Sequence, residues 1–416
     1  MTRTATDPCF DNQAGMLNVE QAVAELLQHA QPLDARERIN LMDAAGRILA
    51  QDLASPIDVP GFDNSAMDGY ALRSSDIETA RKDGLEIVQR IPAGSVGEYL
   101  HAGCAARIFT GAPVPEGADT VVMQEHCRVE DSRLVIEHAV NAGANIRPRG
   151  NDITAGMTVL QTGVPLKAAH IGLAASVGIT AFEVFRRLNV AIFSTGDELV
   201  EPGTPLGPGQ IYNSNRYQLA ALLQAQGCEV IDLGTAVDTF AATRKTLLLA
   251  AEQADLVITT GGVSVGEEDH VKDALESVGK LTLWRIRMKP GKPLAFGRIE
   301  ATPFIGLPGN PVSVFVTFLL FARPFLQTLQ GRTAIEPQTY PVRAAFSYTA
   351  KQRREYVRVR LNSDPTGGLV AETFPRQGSD VMSSLAWSDG LVEIAEGATI
   401  QDGDSVRFLP FSEWAS

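Results

Sequence analysis

The sequence predicts a multidomain α/β protein: a doubly wound α/β domain joined to a discontinuous helical domain, a strand-rich inserted domain and a small C-terminal all-β domain. Three observations carry this reading. Between residues 188 and 329, apolar β-type runs alternate with segments of helical periodicity. Between 54 and 149, segments are short, often β-branched and broken by Gly and Pro, with helical patterns on either side. After residue 330 the helical pattern stops and short strands remain. The boundaries that follow are 16–54 with 148–186 for the discontinuous domain, 55–147 for the insertion, 187–332 for the α/β domain and 333–416 for the β-domain.

The elements are justified in chain order. Asn18 caps the first helix and Gln21 occupies its third position, a capping-box pattern. Val19, Val23, Leu26 and Leu27 then share a face. A second short amphipathic segment surrounds residues 41–49. In the insertion, strands are expected at 85–91, 105–110, 120–125 and 134–137, after a polar loop at 60–70. Residues 168–177 read as helix. The α/β domain runs strand 190–194, helix 215–226 with Asn215 near its cap and Gly227 just past its end, strand 229–233, helix 240–253, strand 256–260, helix 271–278, strand 304–306 and a long buried helix at 311–329. Such alternation implies a parallel sheet covered on both faces, with ligands beyond the carboxyl ends of its strands. Short strands at 340–346, 355–361, 369–373, 390–394 and 405–410 complete the chain.

Bulk properties narrow the function. The formal net charge of −13 argues against a nucleic-acid binder or docking on anionic lipid, both of which need a basic face. It leaves room for a small anion held by backbone N–H groups and a few cations. Cys9, Cys104, Cys127 and Cys228 form no C-x-x-C pair, which suits reduced structural thiols in a cytoplasmic setting. The apolar run 312–322 is shorter than the ~20 residues that span a bilayer. Residues 1–15 are polar and show no secretory signal.

Four loops after strands carry chemistry. Ser194-Thr195-Gly196-Asp197-Glu198 delivers hydroxyls and then two carboxylates, oxygens suited to a hard cation such as Mg²⁺; a capped helix start fits equally well. In 259–269, Gly261, Gly262 and Gly266 let backbone approach an anion, with Ser264 and Asp269 alongside; alone, it also reads as a tight turn. Lys289-Pro290-Gly291-Lys292-Pro293 is a stiff loop that aims two ammonium groups, or else a solvated turn. Pro308-Gly309-Asn310-Pro311-Val312-Ser313 opens an apolar helix, with Pro311 in its first turn. No Ser/His/Asp or Cys/His spacing is present, so positioning and electrostatic or metal-ion catalysis are favoured over covalent catalysis.

These segments, in this order, resemble the molybdopterin molybdenumtransferases, the family that includes bacterial MoeA and the gephyrin E domain. The matching stretches are 59–70 (VPGFDNSAMDGY), 109–113 (FTGAP), 118–125 (ADTVVMQE), 147–153 (RPRGNDI), 193–199 (FSTGDEL), 260–269 (TGGVSVGEED), 289–293 (KPGKP) and 306–313 (GLPGNPVS). The resemblance implies a homodimer of elongated four-domain subunits whose α/β domain binds molybdopterin. It implies that adenylylated molybdopterin and molybdate are the substrates, and that Mg²⁺-dependent cleavage of the adenylate gives molybdenum cofactor and AMP. As further partners it implies the molybdopterin adenylyltransferase and apo-molybdoenzymes.

By the same resemblance, Glu198 and Asp269 are metal-linked carboxylates, and Asp68, Thr110, Asp152 and Asp238 line the cleft, partly across the dimer. Lys289 and Lys292 bind anion, and Gly261, Gly262, Ser264 and Gly266 cradle phosphate. Pro308 and Pro311 shape the floor, and Thr195, Gly196, Gly309 and Asn310 are further substrate-binding residues. Ser313, Arg358 and Ser379 or Ser383 form a molybdate pocket. Asn151, Asn213 and His270 depart from the residues most frequent at those positions, which suggests local tuning. Rival readings are a molybdopterin adenylyltransferase, a nucleotide pyrophosphatase and a non-catalytic molybdopterin-binding scaffold. The inserted and C-terminal domains favour insertion over adenylylation.

Overall fold

A computed structural model describes residues 16–262, 270–365 and 367–415. The α/β unit is built on a six-stranded sheet in the spatial order Glu229–Ala236, Asn189–Thr195, Leu256–Thr260, Thr302–Leu307, Pro293–Ile299, Gly279–Arg285. The first four strands are parallel. The last two are antiparallel, an addition the sequence reading did not anticipate. They return on each other without a crossover helix, so the alternation that signalled the other strands is missing there.

Both faces of this sheet are buried. Along Asn189–Thr195, Val190 and Ile192 pack with Leu219, Leu222, Val312 and Phe318 on one side. Ala191 and Phe193 pack with Leu247, Ala250, Val271 and Leu275 on the other. Each fully buried Leu or Phe contributes about 1.5–3 kcal/mol. Helix Ser214–Ala225 is capped by Asn213, whose side chain accepts from the Arg216 amide at 3.2 Å. Asn215, the cap expected from sequence, instead donates to the Gly309 carbonyl at 2.6 Å.

The long helix Pro311–Leu329 has 19 residues, length and apolarity enough to cross a membrane, yet 94% of its apolar window is buried inside the protein. It runs beyond the apolar stretch in its sequence, and Arg323 and Gln327 within it, with Gln330 at its C-cap, are also buried. Their side chains are bonded internally, Arg323 to Gln327 and Gln327 to Gln226. Its middle, Phe318–Ala322, widens to a π-turn just before Pro324. Proline cannot donate to residue i−4 and its ring crowds that carbonyl.

The first helix, Val19–Leu27, has its expected capping box, with Asn18 Oδ1 accepting from the Gln21 amide at 2.7 Å. It docks on the α/β unit, where Val19, Ala22 and Leu26 join that core. The discontinuous unit has a separate core drawn from both sides of the insertion: Ala44, Leu49, Leu53, Leu160, Leu166, Phe182 and Val184. Two antiparallel strand pairs, Arg36–Asn40 with Ala181–Phe185 and Leu53–Ala54 with Thr158–Leu160, and the helix Ala168–Ser176 frame it. Residues 41–49 form only a short 3₁₀ turn, Leu41–Asp43, before bridges at Ile48 and Leu49. Gly46, at φ +75°, breaks the helical path.

The insertion is a six-stranded sheet containing Gly69–Leu72, a strand within the segment read as loop. A Cβ at Gly69 would stand 1.9 Å from the Val122 carbonyl oxygen, so only glycine lets these strands close. The C-terminal domain is a closed barrel: Arg354–Ser363, Leu369–Thr373, Tyr340–Ala344, Ser405–Pro410 and Gly390–Ile394 pair in turn, and the last returns to the first. Its Tyr356, Leu391 and Leu409 enter the α/β core. The two-residue strand Met288–Lys289 also adds in parallel to Arg354–Ser363, placing Lys289 opposite Glu355.

Candidate active site

The parallel strands end at one level. Thr195 pairs with Ala236, Ser194 with Thr260, and Thr260 with Leu307. The loops after them therefore emerge on one edge, where open α/β sheets bind ligands. A cleft of about 670 Å³ opens there between the α/β unit and the barrel. Of the residues singled out in the sequence, Gly261, Gly262, Lys289, Lys292 and Pro308 line it, with Gly309, Asn310, Ser313 and Ser379. Pro311 sits just behind, at the first turn of its helix. Ser264, Gly266 and Asp269 lie outside the described residues.

Gly261 and Gly262 have φ of +84° and +63°. A Cβ on Gly262 would stand 2.4 Å from Val271 Cγ2 and 2.8 Å from Thr195 Oγ1. Thr195 thus backs the glycine pair rather than facing the cleft, and it is buried. The opposite wall is knitted to the floor, since Asn310 Nδ2 donates to Ser379 Oγ at 3.0 Å and the Val312 amide donates to the Ser379 carbonyl at 3.0 Å.

Arg358 is 1% exposed. Its Nε donates to Ser384 Oγ at 2.9 Å and its Nη2 to the Gly378 carbonyl at 2.8 Å. Burial pushes this guanidinium down to about 10. The side chain is committed to holding the 376–378 loop, so it shapes the cleft wall. Ser383 starts the short helix after this wall and does not line the cleft.

The cleft's charges divide unequally. Lys289 Nζ donates to Glu355 Oε2 at 2.9 Å, an ion pair supplied by the barrel. Among the described residues Lys292 makes no ion pair. Neither does Arg353, a half-buried cation on the same wall that sequence reasoning missed. Its only signal was the basic run at 351–354. Asp380, also missed, adds one carboxylate beside Gly378. The Gly261 amide donates to the Leu307 carbonyl at 3.2 Å. An open guanidinium and an open ammonium lining one cleft with the Gly262 backbone form an oxyanion site.

Comparison with known proteins agrees with this layout. The family model for the MoeA N-terminal region (domain I and II) matches residues 17–178. That for a probable molybdopterin binding domain matches 191–328, and that for the MoeA C-terminal region (domain IV) matches 341–411. A molybdopterin molybdenumtransferase of Haemophilus influenzae is 40% identical over 402 residues, 95% of this chain and 99% of that protein. Molybdopterin molybdenumtransferase 2 of Mycobacterium tuberculosis is 38% identical over 91% of this chain and 94% of its own. The chain belongs to the MoeA family of molybdopterin molybdenumtransferases. It is a transferase of molybdenum cofactor biosynthesis that acts by molybdenum insertion. A solved MoeA protein of Pyrococcus horikoshii OT3, 28% identical, superposes with a TM-score of 0.82 over 94% of this chain and 99% of that one.

Within the family's three-part layout, the remaining predicted residues fall into two places. Glu198 and Asp238 belong to the sheet edge. Glu198 is exposed and, among the described residues, free of ion pairs. Its Oε2 lies 2.5 Å from where a Cβ on Gly196 would stand, which folds the carboxylate back toward the strand end. Asp238 is half-buried just after Glu229–Ala236. Among the described residues no three His, Cys, Asp or Glu side chains cluster as a ready metal cage. Mg²⁺ rarely needs one, because it is usually held by one or two carboxylates, waters and substrate phosphates. The open Glu198 carboxylate fits that pattern.

Asp68, Thr110 and Asp152 lie in and beside the inserted sheet. Asp68 Oδ1 accepts from both the amide and the hydroxyl of Thr110, each at 2.8 Å. Those two bonds, the amide first, hold its carboxyl below the usual range. The Asp152 amide donates to the Val59 carbonyl at 3.0 Å. Among the described residues no hydrogen bond or ion pair joins this trio to the cleft.

Proposed function

We propose that the chain takes adenylylated molybdopterin and molybdate, cleaves the adenylate in a divalent-cation-dependent step, and releases molybdenum cofactor and AMP. The observation that carries this reading is the cleft itself: Lys292 and Arg353 line it together with the left-handed glycines Gly261 and Gly262 at the carboxyl edge of a parallel sheet. Such a site grips a phosphorylated ligand even in a chain of charge −13.

Gly262, continued by Ser264 and Gly266, holds the phosphate chain by backbone N–H groups, and Gly261, whose amide donates to the Leu307 carbonyl at 3.2 Å, supplies the turn that lets the chain approach. Lys292 and Arg353 supply charge. Ser313 and Ser379, on a wall braced by Arg358, suit a tetrahedral oxyanion and form the molybdate pocket. Glu198 and Asp269 would hold Mg²⁺, which would neutralise charge developing on the pyrophosphate oxygens. The dithiolene sulfurs for molybdenum belong to the substrate, consistent with free, unclustered Cys104, Cys127 and Cys228 and with a cytoplasmic setting. Asp68, Thr110 and Asp152 complete the cleft of the other subunit in a homodimer. That accounts for their separation from the cleft of their own chain.

The test is AMP release from purified protein given adenylylated molybdopterin, Mg²⁺ and either molybdate or none. Molybdate-dependent release that collapses in Glu198→Ala is the expected result. Release indifferent to molybdate points to a pyrophosphatase. Tight binding without release points to a scaffold.

A further inference from the structure

The cleft contains two lysines on one stiff loop, yet they stand in different company. Lys289 is opposite Glu355 in strand register and donates to its Oε2 at 2.9 Å. Glu355 is 3% exposed. It also accepts from the Tyr348 hydroxyl at 2.6 Å on the same oxygen, and from the Lys351 amide at 3.4 Å on the other. A buried carboxylate with three donors is held in one place, and it holds the ammonium group in turn. Lys292, three residues on, has no such anchor among the described residues.

We propose that Glu355, backed by Tyr348, is a positioning residue of the transferase: it withdraws Lys289 from the anion-gripping set and fixes it at the cleft wall, leaving Lys292 and Arg353 to carry the anion. This rests on the cleft being the anion site of the proposed reaction. Burial opposes the charge on Glu355, but the hydrogen bonds from Tyr348 and Lys289 outweigh it and keep the carboxyl below the usual range. It is therefore ionised at neutral pH. The Tyr348 hydroxyl is pushed up by its own burial and by the bond to Glu355, so it remains a donor. Among the described residues, the other charged side chains lining the cleft are Lys292, Arg353 and Asp380, and the Arg358 guanidinium acts on Tyr348 from within the barrel.

An ammonium held this way keeps two of its three N–H donors for the cleft, at a fixed position. A free lysine would bind any oxyanion more tightly and less specifically. Only interactions stronger in the transition state than in the ground state speed the reaction. The barrel domain thus supplies a residue that sacrifices ground-state anion affinity for placement.

The experiment pairs calorimetric binding of inorganic pyrophosphate with kcat for molybdate-dependent AMP release, in wild type, Glu355→Gln and Glu355→Asp. For Glu355→Gln, pyrophosphate binding should tighten by about threefold or more as the carboxylate that neutralises Lys289 is removed, while kcat falls about tenfold. For Glu355→Asp, which keeps the charge but shortens the reach, affinity should stay within about twofold of wild type with kcat still low. A wild-type kcat in either folded variant overturns the proposal, as does a Glu355→Gln protein that binds pyrophosphate no better than wild type. If Glu355→Gln does not fold, the Glu355→Asp kcat alone decides. Absence of AMP release from wild type would sink the proposed reaction instead, and pyrophosphate binding would still report whether Lys289 is withdrawn.

Discussion

Arg358 donates to the carbonyl of Gly378 at 2.8 Å, so a fully buried cation of the barrel holds the loop that forms one wall of the cleft. In Arg358→Met the Gly378 carbonyl and Ser384 hydroxyl lose that partner. Urea unfolding should show a loss of about 1–3 kcal/mol. Pyrophosphate affinity should fall with it, because Gln377 and Ser379 are no longer held. A variant with lower stability but unchanged affinity would separate the loop from the site.

Lys292 and Arg353 should each matter to anion binding. Replacing either by Met should weaken pyrophosphate by about tenfold or more, the value of a charge-assisted hydrogen bond at about 1.5–3 kcal/mol. Isothermal calorimetry reads this directly, and added salt should narrow the gap. An unchanged Kd for Arg353→Met would remove that residue from the site.

Gly262→Ala meets both a left-handed backbone, φ +63°, and a Cβ position 2.4 Å from Val271 Cγ2. Gly227→Ala shares the first problem, φ +75°, but has open space around it. Thermal denaturation should show about 1 kcal/mol lost for Gly227→Ala and clearly more for Gly262→Ala. Only Gly262→Ala should also lose pyrophosphate binding.

Asp68 predicts a pH effect. Its carboxyl is held below the usual range by the Thr110 amide and hydroxyl. A depressed value in the folded state favours folding above the unfolded value of about 3.9, and that gain drains away as pH falls through the folded value. The stability gap between wild type and Asp68→Asn should therefore be wider at about pH 5 than at about pH 3. Urea midpoints at the two pH values measure it. A gap that does not change with pH would mean that the Thr110 bonds do not favour the charged form.

Helices Val19–Leu27 and Phe240–Gln253 and the strand Leu256–Thr260 stood where periodicity and capping residues put them, because local preference and burial agree there. The hairpin Gly279–Arg285 and Pro293–Ile299 was illegible, since its partners are set by sheet pairing and no crossover helix announces them. The docking of Val19–Leu27 on the α/β core was equally hidden. An apolar stripe states that a face is buried, not against what.

The site divides along the same line. Glycine loops, prolines and the lysine pair were visible because their chemistry is local: positive φ, fixed turns and charge are properties of a few neighbouring residues. Sequence alone also determined the family, through motifs that run the length of the chain. Only the tertiary structure decided which charges remain open. Lys289 and Lys292 are equivalent as letters. They differ because parallel pairing with Arg354–Ser363 sets Glu355 beside one of them, 66 residues away in the chain. Arg353 became a cleft residue by that same strand pairing, and Arg358 became a brace because the barrel closes around it. Electrostatics acts through space, so the partner that neutralises a charge is fixed by packing and not by order along the chain.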